Sequence, residues 1–537
     1  MRLLKTFSIF AIELRHPLFD VWELAIISLI LSCEIEFIEE MIADCWPYIM
    51  VLIVSAVLFM CRRGLAERLS IVGVSIWLSY ESVLGLLQFA GLSASNHGIY
   101  AITGSFPNPG PYGGFVAVCI AILLAAAYNW RNAAKAVDTW IVRLACAAVF
   151  WGVVVLSASM SRSAWGALAL AVAVFCFGRK EIRAWLGNHK TALGLVVVAV
   201  VIIAVLAFVM KQDSAMGRFH IWEMELRAIA DEPLTGHGYG MSMGSYGDAQ
   251  ADYFESEQRS QVRERIAGCP EFSFNEYFHL GMELGIPGMF AFVALIVSCF
   301  RVLNRTNSAL AWGLVVWGVF AFGSYPLAVW QLCFMIAMIF GAALGYCVSL
   351  GKLQKRAGLV LAFVLIAAGT AVIYPDMVRR RDAVKLWHDE QVLADYGVTD
   401  GTVERLEILY PELKRDYRYL YDYGYALHKA GRYSESNQIL REGAARSSDP
   451  MFYNIIGKNY EAIGDYATAE NYWFHAHNMV PSRLYPYILL MEMYDRQGDT
   501  SAANECARKV MSMPVNEKNI TMIYLRIKAD KYLKKNE

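Results

Sequence analysis

Between residues 21 and 374 the chain alternates long apolar runs with short polar connections. The runs fall at 21–37, 47–61, 71–89, 112–128, 140–157, 164–178, 191–210, 283–300, 310–323, 329–350 and 359–374. A helix of roughly 17–25 apolar residues crosses a bilayer, so the pattern predicts an all-α, polytopic membrane domain of about eleven spans over residues 1–375. The first run carries Glu23, Glu34 and Glu36 and the second is short, which makes them the weakest of the set. Nothing before residue 21 has the layout of a cleavable leader.

Basic residues orient these spans. Arg2, Lys5 and Arg15 precede the first, Arg62, Arg63 and Arg68 follow the second, and Arg131 and Lys135 follow the fourth. Arg179, Lys180, Arg183 and Lys190 follow the sixth, and Lys352, Lys355 and Arg356 follow the tenth. Alternate connections at 38–46, 90–111 and 323–328 contain no Lys or Arg. The positive-inside bias therefore predicts a cytoplasmic N-terminus. An odd span count then puts everything after residue 375 outside, and the long loop at 211–272 is expected on that outer side too.

After residue 376 the pattern turns polar and helical. The triplets Gly431-Arg432-Tyr433, Gly464-Asp465-Tyr466 and Gly498-Asp499-Thr500 recur at about the 34-residue period of tetratricopeptide helix pairs. Pro450, Pro481 and Pro514 end the units, because proline cannot continue a helix. The expected second domain, 376–537, is thus an extracytoplasmic tetratricopeptide-type array presenting a surface to a protein partner.

Composition fits this organisation: 57% of the 537 residues are hydrophobic and 18% charged. A net charge of -1 leaves no electrostatic footprint for nucleic acid. The 11 cysteines lie mostly inside spans and show neither a disulfide framework nor zinc spacing. No Asp-x-Asp pair occurs on the outer side of the membrane half, so neither a metal nor another cofactor is expected.

Candidate chemistry sits in five polar motifs, all assigned to the outer side. They are 104–110 (Gly-Ser-Phe-Pro-Asn-Pro-Gly), 161–165 (Ser-Arg-Ser-Ala-Trp), 217–222 (Gly-Arg-Phe-His-Ile-Trp), 236–240 (Gly-His-Gly-Tyr-Gly) and 274–279 (Phe-Asn-Glu-Tyr-Phe-His). Arg162 and Arg218 are permanent cations able to hold a diphosphate bidentately and stabilise it as a leaving group. A snorkelling interfacial residue and a loop ion pair are their plainer readings. On a helix, Arg218, Trp222 and Glu225 share one face, and Asn275, His279 and Glu283 form a second polar stripe. His279, Glu276 and His220 are candidates for taking a proton from an acceptor hydroxyl. Asn108, Asn275, Trp222 and His237 are candidate substrate contacts. Hydrogen-bonded helix entry for His279 and turn chemistry for Asn108 compete with these roles. Glu81, mid-span, is costly unless paired or protonated.

The order of these motifs resembles the O-antigen ligase and polymerase family. The resemblance runs from about residue 104 to 345 and includes Asp231-Glu232-Pro233-Leu234 before Gly236 and Gly238, and Asn275-Glu276-Tyr277 before Gly288. It implies a bacterial inner-membrane glycosyltransferase with a ligase-like helical fold, working at the periplasmic face without a metal. Such enzymes move a glycan from an undecaprenyl-diphosphate carrier to lipid A core, to a protein Ser or Thr hydroxyl, or to another glycan. The resemblance assigns Arg162 and Arg218 to the diphosphate. Ligases of the family carry histidine immediately before the asparagine, where this chain has Phe274, so no base is carried over. A lipid-linked glycan transporter and a non-catalytic scaffold are the rival classes; the first needs polar groups spread through the spans, which are mostly apolar here.

Overall fold

The computed structural model describes residues 63–132, 135–179, 212–256, 260–347, 378–391, 400–514 and 519–536. The predicted spans at 21–37, 47–61, 191–210 and 359–374 lie outside them. Among the described residues the regular structure is helical and no strand occurs.

The membrane half packs α1 (Arg63–Phe89), α2 (Pro109–Asn129), α3 (Ala136–Ser159), α4 (Arg162–Gly178), α8 (Glu276–Arg305), α9 (Leu310–Ala321) and α10 (Trp330–Cys347). Between α4 and α8 lie three more polar helices, α5 (Gln212–Asp231), α6 (Ser242–Glu255) and α7 (Gln261–Ile266). α1, α2, α3 and α8 are long and apolar enough to cross a membrane. α2 is the central one, buried on nearly every side. It begins sharply because the Asn108 carbonyl oxygen accepts from Gly110 N at 3.0 Å and Pro109 occupies the first helical position. Small residues let neighbours approach its flank: a Cβ on Gly114 would meet the Phe320 ring at 2.3 Å.

α9 differs from the span predicted at 310–323. Its 12 residues rise only about 18 Å, well short of a hydrocarbon core of about 30 Å. It is apolar all round because it is enclosed by α2, α4 and α8. α8 differs from the span predicted at 283–300. It starts at Glu276 and kinks at Gly285, where φ is 70°, so a polar segment precedes the apolar one.

The bundle has two unlike ends. At one, Arg68 grips Asp138 through two bonds of 2.6 and 2.9 Å, Glu67 accepts from Ala309 N, and Arg179 donates to Asn307. At the other, Ser161 Oγ donates to Gly110 O, Gln331 to Ser105, Arg218 to Gly323 O, and Leu327 N to Glu276. All five motifs therefore meet at one end, away from the basic one. Glu81 is paired there, accepting from Ser105 N at 3.0 Å and Ser105 Oγ at 2.6 Å.

The tail is a row of antiparallel helix pairs: α12 (Tyr417–Lys429) with α13 (Tyr433–Ala444), α14 (Met451–Ala462) with α15 (Tyr466–Met479), and α16 (Tyr485–Gln497) with α17 (Thr500–Ser512). First helices begin at 417, 451 and 485, an interval of 34 residues. Gly431, Gly464 and Gly498 close the first helices at φ 77°, 85° and 81°, a conformation glycine adopts without steric cost. Asp465 and Asp499 then cap the second helices. Helix α11 (Asp400–Leu413) and a helical stretch at 378–391 precede the row, and α18 (Ile520–Asn536) follows it.

The tail seats directly on the polar insertion. Gly244 lies so close to Ala445 that a Cβ would sit 2.2 Å from its carbonyl oxygen. Gln250 donates to Met479 O, Ser448 to Pro270 O at 2.8 Å, and Tyr453 to Asp248 at 3.0 Å. Arg418 pairs with Glu271. The insertion and the tail thus occupy the same end of the molecule as the motifs.

Candidate active site

Arg162 opens α4 after a tight turn in which Met160 has φ 52°. The turn nests on Gly113, where a Cβ would come within 2.5 Å of Ser161. Arg218, on α5, reaches across to the end of α9 and donates to Gly323 O at 3.1 Å. Gly323 also neighbours Ser163, so the two arginine-bearing motifs meet at the end of α9. Arg218 has its pKa lowered, first by burial and then by the nearby charge of Arg162.

Phe274 immediately precedes the Asn275 cap of α8. Its ring lies 5.2 Å below the Arg218 guanidinium and edge-on to Tyr325. Here the position supplies a platform for the cation instead of a base.

Arg218, Trp222 and Glu225 do share a face, as their spacing predicts. The Trp222 ring packs on Phe322 and Phe278. Glu225, fully buried, accepts from Ser273 Oγ at 2.6 Å. Burial pushes its carboxyl up to about 8, partly offset by the Ser273 bond. Beside Trp222, an apolar cleft of about 470 Å³ is lined by Phe219, Leu226 and Ala230, with Glu223 and Arg227 at its polar margin.

Asn275 caps α8, its carbonyl oxygen accepting from Tyr277 N and Phe278 N. Its Nδ2 is buried with no protein partner, as is Glu225 Oε2. One turn on, His279 Nε2 meets Glu283 Oε1 at 3.2 Å, the contact expected at i, i+4. Glu276 points the other way and accepts from Leu327 N at 2.6 Å, fixing the turn after α9.

Of the three candidate bases, Glu276 and His279 lie within electrostatic reach of each other while His220 stands apart. His220 lies two positions from Arg218, about 200° around the helix, and so faces the α5–α6 core. Its Nε2 donates to Gln250 Oε1 at 3.0 Å, and burial lowers its pKa. His279 keeps 31% of its side chain exposed and is the more accessible ring.

His237 and the glycines around it explain the kink in α8. Breaking the helix at Gly285 strips the Met282 and Glu283 carbonyls of their helical partners. His237 N takes the first at 2.7 Å and Gly238 N the second at 3.1 Å, while Ile286 N donates to Pro233 O. Gly240 N and Ser242 bind the Glu283 carboxylate. Gly236 is at φ 71°, and a Cβ there would strike the Glu283 carbonyl at 2.4 Å. The His237 ring is spent on Ala228 O at 2.8 Å. Asn108 is likewise engaged as a cap.

Residues 147–293 match the family model described as O-antigen ligase. This stretch of the chain is similar to an O-antigen ligase domain. The match includes Arg162, Arg218, the glycine turn and the whole Asn275–His279–Glu283 stripe, and it leaves out the 104–110 loop and the tail. No curated protein matches the chain. Members of this superfamily are membrane glycosyltransferase-like ligases and polymerases. The apolar helices and this family match together mark the chain as a membrane protein.

Sequence reasoning did not single out Ser273, Tyr325 or Gly323. None carries a motif signal, and each enters only because the bundle brings residues 218, 274 and 323 together.

Proposed function

We propose that this protein is an O-antigen ligase-like glycosyltransferase of the bacterial inner membrane. It moves a glycan from an undecaprenyl-diphosphate carrier to an acceptor hydroxyl on the periplasmic side, on either a lipid A core glycan or a protein Ser/Thr. The observation that carries this reading is the convergence of Arg162 and Arg218, the latter half-buried and held by Gly323 O and the Phe274 ring. The apolar cleft beside Trp222 supports it, because a lipid-linked diphosphate needs a cationic pair next to an oily surface.

In the reaction, the acceptor oxygen attacks the anomeric carbon and forms the new glycosidic bond. The bond from that carbon to the carrier's phosphate oxygen breaks, and its electron pair leaves with the diphosphate toward the two guanidinium groups. The acceptor's proton passes to a base, and His279 is the most exposed candidate. Burial lowers its pKa, but Glu283 and Glu276 outweigh that and push the ring up to about 9, so it is free to accept a proton only at alkaline pH. No metal enters this scheme. The basic end of the bundle is cytoplasmic in this reading, and the tail is a periplasmic tetratricopeptide-type domain.

Purified protein supplied with lipid-linked glycan and either lipid A core or an acceptor protein tests the reading. Arg162→Ala and Arg218→Ala should each slow transfer by about 100-fold or more while insertion persists. Unchanged transfer in both variants overturns it. A product with extended glycan and untouched acceptor identifies a polymerase instead.

A further inference from the structure

An aromatic track leads away from the arginine pair onto the tail. Phe274, under Arg218, meets Tyr325 edge-on, and Tyr325 stacks on Phe272 at 4.7 Å with the rings 15° apart. Phe272 is 37% exposed. The next residue back, Glu271, accepts from Tyr417 OH and pairs with Arg418, so the track crosses to α12 at that point. Along α12, Tyr417, Tyr421 and Tyr425 follow at i, i+4 and i+8, one continuous stripe. Tyr421 and Tyr425 hold their rings parallel, 6° apart. All three stay half-exposed above the Leu440–Phe452–Ile456 core.

The neighbouring first helices complete the face. Lys458 of α14 donates to Tyr485 OH of α16 at 2.6 Å and lies over its ring. Tyr421 lies within electrostatic reach of both Tyr485 and Asp449. Lys429 covers the far side of Tyr425. Flat rings flanked by fixed cations and hydroxyls match the two sides of a sugar, whose C–H face stacks on an aromatic ring and whose hydroxyl rim takes hydrogen bonds. An apolar peptide-binding groove would show aliphatic pockets between the repeats, and here those positions carry tyrosine.

We infer that the Tyr417–Tyr421–Tyr425 face, with Lys458 and Tyr485, is a saccharide-binding surface that holds the sugar chain several residues away from the bond being made. The inference rests on the proposed glycosyl transfer and names the part of its substrate that the tail takes. Continuity with the Phe272–Tyr325–Phe274 track is what ties this face to the reaction site.

The test uses the full-length protein in nanodiscs and the host's surface polysaccharide, released from its lipid by mild acid, as the probe. Saturation-transfer NMR should show contact between protein and sugar protons. Y421A/Y425A should weaken that binding about tenfold or more, given the worth of two ring contacts, while Y421F/Y425F should keep it. Unchanged unfolding temperatures would exclude a collapsed tail. R162A/R218A should still bind the polysaccharide; if it also still transfers glycan, the catalytic reading falls and this one stands. Absent saturation transfer in the unaltered protein, or equal transfer in Y421A/Y425A, overturns the inference. So does displacement of the polysaccharide by a Ser/Thr-rich acceptor peptide.

Discussion

The glycine turn in the membrane half and the glycine turns of the tail use one backbone conformation for opposite purposes. Gly236, at φ 71°, is pressed against the Glu283 carbonyl, and its turn repairs hydrogen bonds that the α8 kink has broken. Gly464, at φ 85°, has nothing within 4 Å of a would-be Cβ and merely lets α14 reverse into α15. The membrane half therefore holds its site by mutual dependence of distant segments, whereas the tail is a sequence of local, nearly independent solutions. Where parts depend on one another, single changes should spread.

The largest effect follows from that difference. Gly236→Ala should lose on the order of 3 kcal/mol or more, from the left-handed backbone and the clash together. The kinked α8 should then lose its partners and glycan transfer should vanish, as thermal unfolding and a transfer assay would report. A variant with normal transfer would show that the interlock is dispensable.

Glu225→Gln probes the same interlock through pH. The native carboxyl titrates near 8, above its ordinary value of 4.5, so the folded state binds the extra proton between those values. Stability from this group is complete below about 4.5 and falls as pH rises through 8. Glutamine mimics the protonated form, so the variant should lose that slope and unfold at a higher temperature than the unaltered protein at pH 8.5. Parallel curves would contradict a buried neutral acid.

Within the tail, Asn459 offers the nearest thing to an interlock. Its amide donates to Ser436 and Asn437, and its carbonyl faces His428 at 2.6 Å. Asn459→Ala should cost about 1–3 kcal/mol in chemical denaturation by leaving buried groups unsatisfied. Transfer by the membrane half should persist. Gly464→Ala should be mildest, about 1 kcal/mol, since only the backbone preference is offended. A Gly464 variant as damaging as Gly236→Ala would erase the contrast.

Much of this was legible without coordinates. The helical spans at 71–89, 112–128 and 140–157 appear as α1, α2 and α3 because unbroken apolar runs leave a helix as the only satisfied backbone in lipid. The tail's period was legible because each unit repeats its own glycine stop and proline punctuation. The i, i+4 contact between His279 and Glu283 follows from helix geometry alone. Reading α9 as a full span failed because apolarity reports burial as readily as lipid contact. The polar first turns of α8 were legible from the Asn275–His279–Glu283 spacing, but its break at Gly285 was not, because a kink leaves no hydropathy signal.

By itself, then, the chain determined its helices, its repeat and the residue types able to hold a diphosphate, since each is set by neighbours within a few positions. Tertiary structure alone decided that Arg162 and Arg218 come within electrostatic reach of each other while His220, two residues from Arg218, faces α6 instead. It also decided that the tail sits against the insertion that carries Arg218. Convergence across 50 or 100 residues of chain is set by which helices pack together, and packing depends on shape matched between surfaces that no local pattern records.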